Sequence, residues 1–251
     1  MSLDRFIGKV AVVTGASAGI GKATAEALVK HGVVVAGLAR RLDRLEQIKQ
    51  QLKNEKGKFY PFKCDISDED QVIATFKKIT DILGPIHVLI NNAGVVPSTD
   101  LIDGDIKKWR QILDTNVLGL SIATREAIIS MKANNIKGHI VQINSVAGHV
   151  PLDFAGLSLY PASKHAVTAL TETLRKEVNR NGLPIKITSI SPGYVKTEII
   201  SRFSSDEPTT YFETRGGLEV EDVAGTIVYV LSTPEHVNIK ELTMMVQGCD
   251  F

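Results

Sequence analysis

Tyr160 and Lys164 stand four residues apart in Tyr160-Pro-Ala-Ser-Lys164, a spacing that stacks two side chains on one face of a helix. A free phenol titrates near about 10 and is a poor base at neutral pH. An adjacent ammonium favours the phenolate and lowers that value, so the pair is a candidate proton donor and acceptor. The same spacing also occurs on solvated helix faces, where it carries no chemistry. The surrounding residues decide between the two readings.

A second group of residues is suited to binding. The strand-like run 10–13 leads into Thr14-Gly-Ala-Ser-Ala-Gly-Ile-Gly21 and then into a helical segment over 22–30. Gly15, Gly19 and Gly21 permit a tight turn and close backbone approach, and the free N–H groups of a helix start can meet a pyrophosphate. A glycine-rich turn alone can be only a turn; its place between a strand and a helix points to a dinucleotide. The second strand run ends Gly37-Leu-Ala-Arg-Arg41. Ala39 stands where an acidic residue would hold the ribose hydroxyls of NAD, while Arg40 and Arg41 suit a 2′-phosphate by charge and by their fork of donors. NADP(H) is therefore expected over NAD. The alternative for Arg40 and Arg41 is that they open the next helix on a solvated face.

The elements that would position these groups follow from the apolar pattern. Aliphatic runs recur at 10–13, 33–38, 58–62, 88–90, 140–143 and 185–190, separated mostly by segments with helical spacing, such as Val72, Phe76, Ile79 and Leu83. Runs that do not alternate suit strands buried on both faces. The pattern predicts an α/β fold, a doubly wound, Rossmann-like parallel sheet with helices on both faces, as one domain over 1–251. Helices are expected over 107–131 and 160–181. The stretch 194–217 mixes turn residues with Phe203, Tyr211 and Phe212, which predicts a substrate lid, with a plain surface loop as the alternative.

Composition narrows the function classes. A formal net charge of +1, with the basic residues spread along the chain, argues against a nucleic-acid partner. Cys64 and Cys249 show no CxxC spacing, which suits a reducing compartment and argues against a zinc site or any other metal centre. No apolar run is long enough for an integral membrane segment and no leader is visible, so a cytoplasmic location is expected.

Taken in order, Thr14 to Gly21, Cys64-Asp-Ile66, Asn91-Asn-Ala-Gly94, Asn116-Val-Leu-Gly119, Asn144-Ser-Val-Ala-Gly148, Tyr160 to Lys164 and Ser191-Pro-Gly193 resemble the short-chain dehydrogenase/reductase family over essentially the whole chain. Within it, the chain is similar to an NADP-preferring group. The resemblance implies a catalytic tetrad. Tyr160 would exchange a proton with the substrate oxygen, and Lys164 would lower its pKa and bind the nicotinamide ribose. Ser145 would hydrogen-bond the substrate oxygen, and Asn116 would hold a water connecting Lys164 to solvent. Read singly, Asn116 could be a helix-kink residue and Ser145 a strand-end cap.

The resemblance also implies cofactor contacts. Gly15, Ser17, Gly19, Ile20, Gly21, Arg40 and Arg41 would hold the phosphates, Asp65 and Ile66 would border the adenine, and Asn92 and Gly94 would lie near the adenosine ribose. Pro192, Gly193, Val195 and Thr197 would join Tyr160 and Lys164 around the nicotinamide. Two features depart from the pattern: fifteen positions separate Ser145 from Tyr160, more than in many members, and the chain ends Gly248-Cys-Asp-Phe251. The first predicts a longer loop over the site at 149–159.

His149, Leu152, Phe154, Leu157, Leu159, Tyr194, Phe203, Tyr211 and Phe212 are candidates for a mostly apolar lining, which fits a small lipophilic alcohol or carbonyl such as a sesquiterpenoid alcohol, a steroid or a retinoid. His149, a lone loop histidine, otherwise reads as an exposed residue. The expected activity is hydride transfer between NADP(H) and such a substrate. An NADP(H)-binding regulatory protein without turnover is the competing class. Members of this family pair their long helices, so a homodimer or homotetramer is expected.

Overall fold

Ala11 and Val13 of strand β1 (Val10–Thr14) enter one hydrophobic layer while Val10 and Val12 enter the other, and all five residues of the strand are buried. Successive side chains of a strand point to opposite faces, so a strand covered on both sides must be apolar throughout. The computed structural model describes residues 2–199 and 216–248. Six further strands flank β1: β2 (Val34–Ala39), β3 (Lys58–Lys63), β4 (Ile86–Asn91), β5 (His139–Ile143), β6 (Lys186–Pro192) and β7 (Glu241–Met244). They form one parallel sheet in the order β3-β2-β1-β4-β5-β6-β7.

Helices α1 (Gly19–Lys30), α2 (Leu42–Gln51) and α7 (Val220–Ser232) supply the layer on one face through residues such as Leu28, Leu45 and Ile227. Helices α3 (Glu69–Leu83), α5 (Leu120–Ala133) and α6 (Tyr160–Arg180) supply the other through Phe76, Met131 and Val178. The winding reverses between β1 and β4, and the C-terminal ends of strands at such a switch point leave the crevice where ligands bind. The doubly wound architecture is the one expected.

Two details differ from expectation. Strand β7 has no aliphatic run, because an edge strand whose residues alternate between exposed and half-buried needs none. The helix expected over 107–131 is interrupted: α4 (Ile106–Leu113) passes into a π-helical segment, Asp114–Gly119, before α5 begins. A Cβ at Gly119 would lie 2.2 Å from the Ile66 carbonyl oxygen, so glycine lets this wider turn press against the loop after β3. Val167 is fully buried and Leu174 packs on the core, so both face their own sheet. Phe203, Tyr211 and Phe212, the aromatic part of the expected lid, lie outside the described residues, as does Cys249. Among the described residues no helix is long and apolar enough to cross a membrane.

Candidate active site

The chemistry-bearing residues meet where β4, β5 and α6 begin or end. Tyr160 opens α6, and Pro161 follows in the first turn, where a missing N–H is tolerated. One turn on, Lys164 is buried, with its Nζ 5.8 Å from the centre of the Tyr160 ring and donating to the Ile143 carbonyl at 2.9 Å. Burial pulls the lysine down to about 8 from its usual 10.5. At neutral pH it is still mostly protonated.

Tyr160 departs from expectation. Burial pushes its phenol above the ordinary value, and a hydrogen bond with Ser145 offsets only part of that rise. Desolvation penalises the charged phenolate. The tyrosine is thus held as the neutral, proton-bearing phenol.

Ser145 and Asn116 each carry a structural duty as well. The Ser145 Oγ accepts from the Ala147 N–H at 3.1 Å and caps the 3-10 turn Val146–Gly148, which leaves its own proton to donate. Asn116 sits in the π segment. Its Oδ1 accepts from the Val95 N–H at 2.8 Å, and its Nδ2 donates to the Val95 carbonyl at 3.0 Å and to Ser163 Oγ at 3.2 Å. Both amide protons are therefore committed, and a water linked to Lys164 through this residue would have to use its main-chain carbonyl. Asn116 thus stands at the kink and, through Ser163, beside the start of α6. Ser163, absent from the expected set, ties the two halves by donating to the Tyr160 carbonyl at 2.7 Å.

The cleft running from this corner takes in most of the expected cofactor residues. Gly15, Ser17, Gly19 and Ile20 line it from the β1–α1 turn, and Arg40, Arg41, Asp65 and Ile66 line it from the ends of β2 and β3. Asn92 and Gly94 enter after β4, and Thr197 after β6. Asn92 also braces the turn, since its Nδ2 donates to the Thr14 carbonyl at 2.9 Å. Thr14 in turn accepts at Oγ1 from the N–H groups of Asn92 and Ala93. A Cβ at Gly15 would lie 2.9 Å from both Ala93 Cα and Asn92 Nδ2, so glycine here allows the turn to close.

Gly21, Pro192, Gly193 and Val195 stand off the cleft wall. Gly21 is packed inside the turn, where a Cβ would fall 2.4 Å from Asn92 Nδ2. Pro192 ends β6, Gly193 donates to the Met244 carbonyl at 2.8 Å, and Val195 bridges to Leu218. These residues build the strand end that carries Thr197.

Arg41 does open α2 with a partly exposed side chain, and it also reaches the cleft. Its Nε and Nη2 donate to Ser17 Oγ at 3.3 and 3.2 Å across the mouth of the cleft, and its Nη1 pairs with Glu198 Oε2 at 3.0 Å. Arg40 lies 3.9 Å from Asp65, whose other oxygen accepts from Ser67. Glu198 and Arg44 were not foreseen, because exposed charges so far apart in sequence give no signal until folded. His149 is exposed as expected, yet its Nε2 lies 3.0 Å from Ser191 Oγ and 2.8 Å from Glu241 on β7. The longer loop at 149–159 is fastened by the Thr99 N–H bond to the Gly156 carbonyl, with Leu157 buried.

A glycine turn between strand and helix, a cleft at the switch point and Tyr160 and Lys164 at its inner corner, with Ser145 and Asn116 off the cleft wall behind them, define a dinucleotide-dependent oxidoreductase of the α/β class. Residues 9–208 match the family model for short chain dehydrogenase, and the chain belongs to that family. It is 47% identical to a farnesol dehydrogenase of Aedes aegypti, over 99% of this chain and 100% of the relative. It is 41% identical to dehydrogenase/reductase SDR family member 11 of Gallus gallus, over 96% and 97% of the two chains. A serine dehydrogenase solved in its closed form with NADP+ superimposes with a TM-score of 0.84 at 30% identity, over 94% of each chain.

Proposed function

We propose that the protein is an NADP(H)-dependent oxidoreductase that interconverts a lipophilic alcohol and its carbonyl, of the sesquiterpenoid-alcohol, steroid or hydrophobic ketone and aldehyde kind. The observation that carries this reading is one cleft joining a protonated Tyr160 beside Lys164 to Arg40 and Arg41. The cofactor fits the residues present: a turn closed by Gly15, a helix start at Gly19, and guanidinium groups in place of an acidic residue at Ala39. NADP(H), when bound, supplies the hydride. The NADP+ complex of the structural relative and the farnesol dehydrogenase activity named for the mosquito relative support the cofactor and the substrate class.

The chain's own part is proton transfer and orientation. Ser145 donates to the substrate oxygen while its lone pair stays on the Ala147 N–H. Tyr160 gives its proton to that oxygen during reduction, and the Lys164 ammonium stabilises the phenolate left behind. The neutral phenol is the form that donates during reduction, and a preference for NADP(H) favours carbonyl reduction as the working direction. The main-chain carbonyl of Asn116 holds the water through which the proton is replaced. The apolar surface left open by Ile106, Leu113, Leu118 and Ile129 along α4 and α5 supports a homodimer or homotetramer, and the buried thiol of Cys64 suits a reducing cytoplasm.

The test is absorbance-monitored oxidation of NADPH or NADH with a panel of hydrophobic aldehydes and ketones. Tyr160→Phe is expected to lower kcat by about 10²- to 10⁴-fold while NADPH binding, followed by its fluorescence, persists. An unchanged rate in the variant would refute the acid role. Tight NADPH binding by the wild type without turnover on any substrate would favour a regulatory protein instead.

A further inference from the structure

The Arg41 guanidinium that faces Ser17 across the cleft does not stand alone. Glu198 Oε2 accepts from Arg41 Nη1 at 3.0 Å, and Glu198 Oε1 accepts from Arg44 Nη1 at 2.6 Å. One carboxylate thus bridges an arginine at the mouth of the cleft and a second arginine one turn into α2. Glu198 is the residue after Thr197, and both line the cleft. The chain just before it is anchored, since the Lys196 N–H donates to the Leu218 carbonyl at 2.9 Å and the Leu218 N–H donates to the Tyr194 carbonyl at 3.0 Å. Glu198 therefore follows directly on a fixed support.

A carboxylate held by two guanidinium groups uses the same donors that a phosphate would use. On the reading of the cofactor given above, the 2′-phosphate must approach Ser17 and Arg41, and there it would meet a negative group already hydrogen-bonded to one of them. Like charges at that range disfavour each other. We infer that Glu198 is an internal competitor for the 2′-phosphate and that Arg44 is a third member of the phosphate cradle, so that Glu198 sets how strongly the protein prefers NADP(H) to NAD(H).

Space exists for the displaced group. A cavity of about 340 Å³ adjoins the cleft, lined by Lys22, Arg44, Gln47 and Gln51 as well as Glu198. The Glu198 carboxylate can turn into it and remain near Lys22 and Arg44 when Arg41 is taken by phosphate. Arg44, released in part, then faces the same anion. Both arginines hold the carboxyl of Glu198 below the usual range, Arg44 most strongly, so it is charged across neutral pH. The consequence is an affinity for NADP(H) deliberately short of what three arginines could provide, which speeds its release after each turnover. NAD(H), lacking the phosphate, does not contend with Glu198.

The test uses adenosine 2′,5′-bisphosphate and adenosine 5′-monophosphate as probes, titrated calorimetrically into the full-length protein, so that no hydride chemistry intervenes. Exposed ion pairs of this kind are each worth a factor of about 1.5 to 5. Glu198→Gln, which keeps the shape and removes the charge, is therefore expected to tighten the bisphosphate by about 3- to 10-fold and leave the monophosphate unchanged. Arg44→Gln placed on the Glu198→Gln background is expected to remove most of that gain. If Glu198→Gln leaves the bisphosphate unchanged, or weakens both probes alike, Glu198 is a clasp and the inference is wrong. If the wild type binds both probes equally, the NADP(H) reading itself fails, a result distinct from either of those.

Discussion

The two ends of the cleft are built from different materials. At the inner end, Lys164, Asn116 and Ser145 are buried, and each is fastened by hydrogen bonds to backbone: Lys164 to Ile143, Asn116 to Val95, Ser145 to Ala147. At the outer end, Arg41 and Arg44 are exposed and their acidic partner is exposed too. Buried bonds of the first kind are costly to break and keep donors aimed in advance of the substrate. Surface ion pairs of the second kind are weak and can be exchanged for those of an incoming phosphate. The chemistry end is preorganised, and the nucleotide end is exchangeable.

The largest effects are expected where the inner end loses its charge. Lys164→Met is expected to lower kcat by about 10²- to 10³-fold. It should also change how stability depends on pH. The folded value of Lys164 is about 8, against 10.5 when unfolded, so between those values the unfolded chain binds the proton that the folded chain does not. The penalty for burying the lysine is complete below the folded value and fades as pH rises toward the unfolded one. The wild type should therefore gain roughly 2 kcal/mol on the variant between about pH 8 and 10, read from urea denaturation at each pH. A difference that does not vary with pH would show that the lysine is not desolvated as the geometry implies.

An intermediate effect is expected in the turn that joins the two ends. A Cβ at Gly21 would meet Asn92 Nδ2 at 2.4 Å and the Gly15 carbonyl oxygen at 2.5 Å, whereas nothing lies within 4 Å of one at Gly225 on α7. Gly21→Ala is expected to cost about 1 to 3 kcal/mol and to weaken NADPH, because Asn92 must release the Thr14 carbonyl. Gly225→Ala, a helix position with room, should gain about 0.5 to 1 kcal/mol. Equal outcomes for the two glycines would mean that the turn gives way without disturbing the cofactor site.

How much of this was legible beforehand follows the same division. Strands β1 to β6 could be read because buried parallel strands need unbroken aliphatic runs, whereas the edge strand β7 needs none. With β7 hidden, the pairing of His149 with Glu241 was hidden too. Tyr160 and Lys164 could be singled out because their types and spacing are chemically particular, whereas Ser145 and Asn116 came into view only through the family resemblance. Ser163 lies inside the same five-residue stretch and still escaped notice, since a helix serine has no meaning until Asn116 is seen to touch it. The direction of the Tyr160 shift was misjudged because a neighbour four residues away is visible in sequence and the depth of burial is not. Glu198 and Arg44 are charges on separate surface segments, joined only by the fold.

The smallest effects should fall at the outer end and should spare the inner one. Arg41 donates to Ser17 and to Glu198, so removing it strips the cradle of one cation and frees the carboxylate at once. The two changes oppose each other in stability and act together against phosphate. Arg41→Ala is accordingly expected to raise the Kd for NADPH by about 5- to 10-fold, within the range of a charge-assisted hydrogen bond, and that for NADH by less than about twofold. Tyr160 and Lys164 share no partner with Arg41, so kcat at saturating NADPH should hold. Raising the salt should weaken NADPH in the wild type more than in the variant, since screening acts on exposed charges and hardly on buried ones. A variant that loses NADPH and NADH equally, or loses kcat, would mean that the guanidinium shapes the cleft as a wall and that the two ends are not independent after all.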